Sequence, residues 1–157
     1  MVVKGRKKME SYNIPVEEVA DYFLDKLEAE TGDCISNLKL QKLVYYAQGF
    51  VMAIMGKKLF NEKIKAWEHG PVIEELYIKY KINGSKPITR PDNINFPHLF
   101  QHKDLMELLD DVYKVYGQYS AWRLRDMTHN ETPWLETLRN KVISDKLMLA
   151  FFKTQIN

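Results

Sequence analysis

The sequence has few of the features that identify secreted, membrane-spanning or metal-binding proteins. Its single cysteine, Cys34, cannot form a disulfide within the chain or supply a paired-cysteine metal site, so the fold does not depend on oxidation. No run of about 18 apolar residues is present, and the N-terminal segment has no apolar signal core. These absences predict a cytoplasmic protein that does not cross a membrane.

The short motifs of common enzymes are also absent. The sequence has no glycine-rich phosphate loop, no G-x-S-x-G elbow and no H-E-x-x-H pair. His129-Asn130-Glu131 has the H-x-E spacing of zinc deaminases, but the paired cysteines of that metal site are missing. We therefore predict a protein that is not an enzyme and holds no cofactor or metal. The alternative is an uncharacterised hydrolase or nucleotide-binding enzyme that uses His69, His129 and Glu131.

Neither sign of charge predominates: 23 lysine and arginine residues face 21 aspartate and glutamate residues, so the formal net charge is only +2. Four basic residues precede any hydrophobic periodicity and predict a flexible basic tail over residues 1–12: Lys4, Arg6, Lys7 and Lys8. A DNA-binding regulator, with Arg123, Arg125 and His129 facing DNA from a helix-turn-helix, is a second alternative. DNA affinity depends on clustered lysine and arginine, so the charge balance argues against nucleic-acid binding by this chain alone.

The residues that are present are sufficient for one hydrophobic core. The 157 residues are 45% hydrophobic and 12% aromatic, and a chain of this size buries roughly two-thirds of its unfolded surface. No internal repeat, low-complexity tract or interdomain linker interrupts the pattern. We therefore predict a single helical domain over residues 13–155. The composition does not specify its oligomeric state.

Apolar residues recur at helical spacing through most of this domain and predict six or seven α-helices. The predicted spans are 15 to about 31, 36 to about 55, 71 to about 81, 103 to 116, 120 to about 128, 133 to about 139, and 144 onward. The second helix is apolar almost all round, because Tyr45 and Tyr46 lie opposite its main apolar arc. We therefore expect a mainly α fold, a compact bundle around this central buried helix.

A short β-hairpin is predicted between the second and third helices. Lys58-Leu59-Phe60 and Ile64-Lys65-Ala66-Trp67 alternate polar and apolar residues across a polar turn. Gly70-Pro71 is then expected to begin the third helix, because proline suits a first helical position. Residues 85–102 contain three prolines and little periodicity, so we predict a surface loop that could select a partner.

Three separated segments together resemble one protein family. They are the run 38–49, Leu-Lys-Leu-Gln-Lys-Leu-Val-Tyr-Tyr-Ala-Gln-Gly, the run 66–72, Ala-Trp-Glu-His-Gly-Pro-Val, and Thr128-His129 followed by Pro133-Trp134. In this order and spacing they are similar to the Panacea domain family of SocA-like and GepA phage-associated proteins. The resemblance covers nearly the whole chain.

This resemblance implies an antitoxin that neutralises a cognate toxin by direct binding. One branch of the family also delivers its toxin to an ATP-dependent protease, so such a protease is a second expected partner. The residues that carry the resemblance are candidates for partner contact or for the fold itself: Lys42, Tyr46, Trp67, His69, Gly70, Pro71, Thr128, His129 and Trp134.

Physical chemistry gives several of these residues a structural role as well. Lys42 lies on an apolar helix face, so we expect it to extend to solvent or to pair with a carboxylate. Trp67 and Trp134 are expected to anchor the core rather than to face solvent. His69-Gly70-Pro71 is expected to fix a tight entry into the third helix, and His129 to hydrogen-bond backbone near that turn.

Overall fold

The computed structural model describes residues 8–29 and 34–156, and its fold is mainly α-helical. The described residues form seven α-helices and one two-stranded hairpin. In chain order these are α1 Val16–Ala29, α2 Asn37–Met55, β1 Ile64–Trp67, β2 Gly70–Ile73, α3 Glu74–Tyr80, α4 Lys103–Tyr116, α5 Ala121–Thr128, α6 Thr132–Leu135 and α7 Asp145–Lys153. Short 3₁₀ turns occupy Lys81–Asn83 and Leu99–Gln101.

Helix α2 lies at the centre of the domain, as its all-round apolar pattern predicted. The Ser36 hydroxyl accepts a hydrogen bond from the Lys39 amide at the start, and Gly56 ends the helix with a φ of 71°. Helices α1, α4, α5 and α7 and strand β2 pack around it. Tyr45 and Tyr46 are both fully buried, so the two faces of α2 contribute to one core.

The hairpin contains the predicted strand Ile64–Trp67, but the strand that pairs with it is not the predicted one. Strand β1 pairs antiparallel with β2, placing Ile64 opposite Ile73 and Trp67 opposite Gly70. The expected pairing with Lys58-Leu59-Phe60 is therefore wrong, and so is a third helix that begins at Pro71. The periodicity of α3 extends back through Val72, but the Gln41 side chain accepts a hydrogen bond of 2.8 Å from the Ile73 amide and holds this segment extended.

The second edge of β1 is also paired. The Ala66 amide donates to the Lys141 carbonyl, and the Ile143 amide donates to the Ile64 carbonyl. This pairing accounts for the early end of α6 at Leu135, whereas the sequence predicted a helix to about residue 139. The chain must leave the helix to run beside β1. The hairpin thus becomes an integral part of the domain.

The remaining helices begin where the local signals predicted. Ser120 and Ser144 accept hydrogen bonds from the Arg123 and Leu147 amides at the starts of α5 and α7. The predicted end of α1, at about residue 31, lies outside the described residues. None of the helices in the described ranges is both long and apolar enough to cross a membrane.

Two segments expected to be irregular are joined to the domain by hydrogen bonds. In the predicted loop 85–102, Ile88 and Leu99 are buried, and the Ile88 amide donates to the Ile35 carbonyl. Within the described part of the predicted tail, the Tyr12 amide donates to Lys58, whose own amide donates to Glu10. Residues 1–7 lie outside the described ranges.

Candidate functional site

Lys42 marks the point where α2 meets the hairpin. Its side chain is fully buried, and Nζ donates a hydrogen bond of 3.2 Å to the Pro71 carbonyl. Burial lowers the pKa of this amine to about 7, and the nearby Arg125 charge acts in the same direction. The expectation that Lys42 extends to solvent or pairs with a carboxylate is therefore wrong. Strand β2 covers the side chain and supplies a carbonyl instead.

Gly70 completes this junction, because a side chain at this position would be both strained and crowded. Its φ is 107°, and a Cβ would lie 2.7 Å from both Lys42 Cε and Thr128 Oγ1. Thr128, fully buried at the end of α5, donates its hydroxyl to the Arg125 carbonyl. Lys42, Gly70, Pro71 and Thr128 thus meet where α2, β2 and α5 contact one another.

A second buried group joins α2 to the segment after α5. The hydroxyls of Tyr45 and Tyr46 donate to the two carboxylate oxygens of Glu131, at 2.9 and 2.7 Å. Burial raises the pKa of Glu131 to about 7, although the two phenol hydrogen bonds act in the opposite direction. The ring of Tyr46 also stacks on Tyr116 with a centroid separation of 3.9 Å.

His129, Trp134 and Arg139 form a stack beside the hairpin. The rings of His129 and Trp134 are nearly parallel with centroids 4.0 Å apart, and the Arg139 guanidinium lies 3.6 Å from the Trp134 centroid. Trp134 Nε1 donates a hydrogen bond of 2.7 Å to the Trp67 carbonyl. Both tryptophans are half-buried, and Trp134 packs against the core, so the stack fixes α6 to the end of β1.

His129 has unequal surroundings at its two nitrogens. Nε2 is buried with no hydrogen-bond partner among the described residues, while the ring hydrogen-bonds the Glu68 backbone. Burial and the Arg125 charge lower the pKa of this imidazole, and the Glu68 hydrogen bond opposes them. The predicted backbone hydrogen bond near the turn is therefore present.

An aromatic cleft of about 540 Å³ opens next to this junction. Trp67, Tyr77 and Trp122 line it from β1, α3 and α5, and His69 lies at the hairpin turn. Arg125 Nε donates a hydrogen bond of 3.0 Å to His69 Nδ1, and its guanidinium lies 4.5 Å from the Trp122 centroid. The Trp122 side chain is 56% exposed, so a large apolar surface remains open to solvent.

The nine candidate residues therefore divide into two groups. Lys42, Tyr46, Gly70, Pro71 and Thr128 are buried and join elements to one another. His69 is exposed and Trp67 half-buried at the cleft, while His129 and Trp134 form the adjoining half-buried stack. Resemblance alone did not separate these groups.

Trp122 and Tyr77 were missed by the sequence reasoning, which named Arg125 only for the DNA-binding alternative. A usable signal existed for Trp122, because the buried residues of α5 are Leu124 and Thr128 and position 122 lies opposite them on the helix. A tryptophan on that face is expected to be exposed. Tyr77 had no comparable signal, since only folding brings α3 beside β1.

The polar residues of the alternative enzyme are each held by other groups. His69 bonds Arg125, His129 stacks on Trp134, and Glu131 accepts from two tyrosines. Among the described residues, no hydrogen bond joins any two of these three side chains, and no three His, Cys, Asp or Glu residues cluster as a metal site. For the alternative DNA-binding role, Arg125 is committed to His69, Trp122 and Asp126.

Fold and site together define a small helical domain in which a β-hairpin is fixed to a central helix by buried motif residues, with an aromatic cleft beside it. The family described as "Antitoxin SocA-like, Panacea domain" matches residues 40–135, which include all but the first two residues of the three motif segments and both cleft tryptophans. The chain belongs to this family.

One curated relative supports the same assignment. The chain is 32% identical over 131 residues to "Antitoxin SocA" of Caulobacter vibrioides (strain NA1000 / CB15N), an alignment that spans 78% of this chain and 69% of the relative. No solved structure matches the chain significantly.

Proposed function

We propose that this chain is an antitoxin that neutralises a cognate toxin by binding it directly. The observation that carries the proposal is membership of the SocA-like Panacea family, supported by a relative whose name is Antitoxin SocA. The polar residues of the alternative enzyme support binding rather than catalysis, because no hydrogen bond among the described residues joins His69, His129 and Glu131 to one another.

The aromatic cleft is the surface we assign to the toxin. It is lined by Trp67, Tyr77 and Trp122, and tryptophan and tyrosine contribute most often to the energy of protein–protein binding. Hydrogen bonds join four of the elements that line it: α2, β1, β2 and α3. A rigid apolar surface loses little conformational entropy on binding, so it suits a specific partner.

Two routes to neutralisation are distinguished by the fate of the bound toxin. Occlusion of the toxin leaves its half-life in the cell unchanged. We propose that this chain also delivers the toxin to an ATP-dependent protease. Delivery shortens the half-life of the toxin when the antitoxin is co-expressed.

The test combines growth with binding to the protein encoded beside this chain. We expect that protein to arrest growth when expressed alone and to be tolerated with the antitoxin. Trp122→Ala should weaken its binding by tenfold or more, because an exposed tryptophan hot spot contributes about 2 kcal/mol or more. Phe100→Ala is the matched control, since Phe100 is also an exposed aromatic residue, 70% accessible, but does not line the cleft.

Both variants should unfold at the wild-type temperature, because both side chains lie at the surface. A neighbouring protein that is harmless or unbound would contradict the proposed function. Equal binding by Trp122→Ala and wild type would remove the cleft from the interface while leaving the antitoxin role intact.

A further inference from the structure

Charge in the aromatic cleft is confined to one residue. Among the described residues that line it, Glu68 is the one with a formal charge, and it lies at the hairpin turn between β1 and β2. Its side chain is exposed and makes no hydrogen bond or ion pair with any residue that the structure describes. The cleft therefore presents an unpaired carboxylate at its edge.

Two of the three amide side chains that line the cleft, Asn37 and Gln41, are already bonded within the protein. Asn37 Nδ2 donates to the Tyr77 carbonyl, and Gln41 Nε2 donates to Asn37 Oδ1. The carbonyl oxygen of Gln41 accepts from the Ile73 amide. These bonds remove both amides as partners for a ligand, and the aromatic walls of Trp67 and Tyr77 beside them favour an apolar side chain.

Arg125, which lies beside the cleft, forms no ion pair with Glu68. Arg125 forms an ion pair with Asp126 at 3.2 Å, hydrogen-bonds His69 and lies over Trp122. Its guanidinium is thus paired with Asp126 rather than with Glu68. The negative potential at the cleft edge remains available to a positive group from outside.

We propose that the cleft receives a segment of the toxin that carries a large apolar side chain next to a lysine or arginine. The apolar side chain enters between Trp67, Tyr77 and Trp122, and the cation pairs with Glu68. This inference rests on the proposed function and adds to it the chemistry of the bound segment. Complementary charge at the edge of an apolar contact provides specificity and speeds association.

Charge variants at position 68 test the pairing with the purified neighbouring toxin as the probe. Glu68→Gln should weaken binding about threefold and Glu68→Lys about tenfold or more, mainly through slower association. Raising the salt concentration should weaken the wild-type complex more than the Glu68→Gln complex. Glu136→Lys is the control, because Glu136 is an exposed acidic residue outside the cleft.

Reversal of the partner charge gives the decisive arm. A toxin variant in which a lysine or arginine is replaced by glutamate should bind Glu68→Lys more tightly than it binds wild type. Failure of every such toxin variant to restore binding, or equal binding by Glu68→Lys, Glu136→Lys and wild type, would overturn the inference while the antitoxin role stands. If Trp122→Ala abolished self-association of the chain but not toxin binding, the cleft would bind a second copy of this chain. That result would also overturn the inference. A wild-type chain that does not bind the toxin would overturn both proposals.

Discussion

Individual residues at the junction between α2 and the hairpin are constrained by shape rather than by exposure to a partner. Gly70 combines a φ of 107° with close approach of Lys42 and Thr128, and each restriction alone disfavours a side chain. The family motif at this position therefore has a structural reason. Glycine permits β2 to lie directly on the buried lysine.

Gly56 allows the cost of a positive φ to be measured without the cost of crowding. Its φ is 71°, but a Cβ at this position would have no atom within 4 Å. We expect Gly56→Ala to lower the free energy of unfolding by about 1–2 kcal/mol, the cost of a left-handed backbone for an L-residue. Gly70→Ala should cost about 3 kcal/mol or more, since crowding adds about 1–3 kcal/mol. Urea unfolding of both variants measures the difference, and equal losses would show that the junction yields to a methyl group.

At the scale of elements, the packing of α7 on α2 depends on a glycine in a helix interior. A Cβ at Gly49 would lie 2.1 Å from Phe152 Cε2, and Phe152 is fully buried. Its ring also contacts the rings of Tyr45 and Phe50, so it has little freedom to move away. Close approach of the two helices therefore outweighs the intrinsic preference of a helix for alanine.

Gly49→Ala tests which effect is larger. Helix propensity alone would stabilise the protein by about 1 kcal/mol, whereas overpacking costs about 1–3 kcal/mol, so we expect a net loss. Adding Phe152→Leu should recover part of that loss, while Phe151→Leu, at a half-buried neighbour that contacts Phe152, should recover less of it. Thermal unfolding of the single and double variants measures the coupling. A stabilised Gly49→Ala protein would show that α7 moves away without cost.

At the scale of the whole molecule, a buried lysine and a half-buried glutamate give stability opposite dependences on pH. Glu131 has a folded-state pKa of about 7 against 4.5, so between these values the folded chain binds more protons and stability falls as pH rises. Lys42 has a pKa of about 7 against 10.5, so above pH 7 the unfolded chain binds more protons and stability rises with pH. Their combined contribution is least favourable near pH 7.

Variants without these charges should each weaken the pH dependence of the free energy of unfolding on one side of pH 7. Lys42→Met should remove a rise of up to about 1.4 kcal/mol per pH unit above pH 7, and Glu131→Gln a fall of similar slope below it. Urea unfolding at pH 5, 7 and 9 measures both, and titrating groups common to all three proteins cancel in the differences. Slopes equal to wild type would show that neither group changes its ionisation on folding.

The helix starts at Ser36, Ser120 and Ser144 and the end of α2 at Gly56 were predictable from sequence. Capping bonds form between residues three or four positions apart, so a short stretch of chain contains both partners. The central position of α2 was predictable for a related reason, because a helix that is apolar all round is stable only when other elements cover it.

The tertiary structure decided the features whose partners are distant in the chain. Gly70–Ile73 is a strand because Gln41 and β1 bond it, and Lys42 is buried because β2 supplies a carbonyl. The cleft exists because α3 and α5 place Tyr77 and Trp122 beside the hairpin turn. The local sequence determines the conformational preference of a short segment. These features depend instead on which distant groups become neighbours once the core has formed.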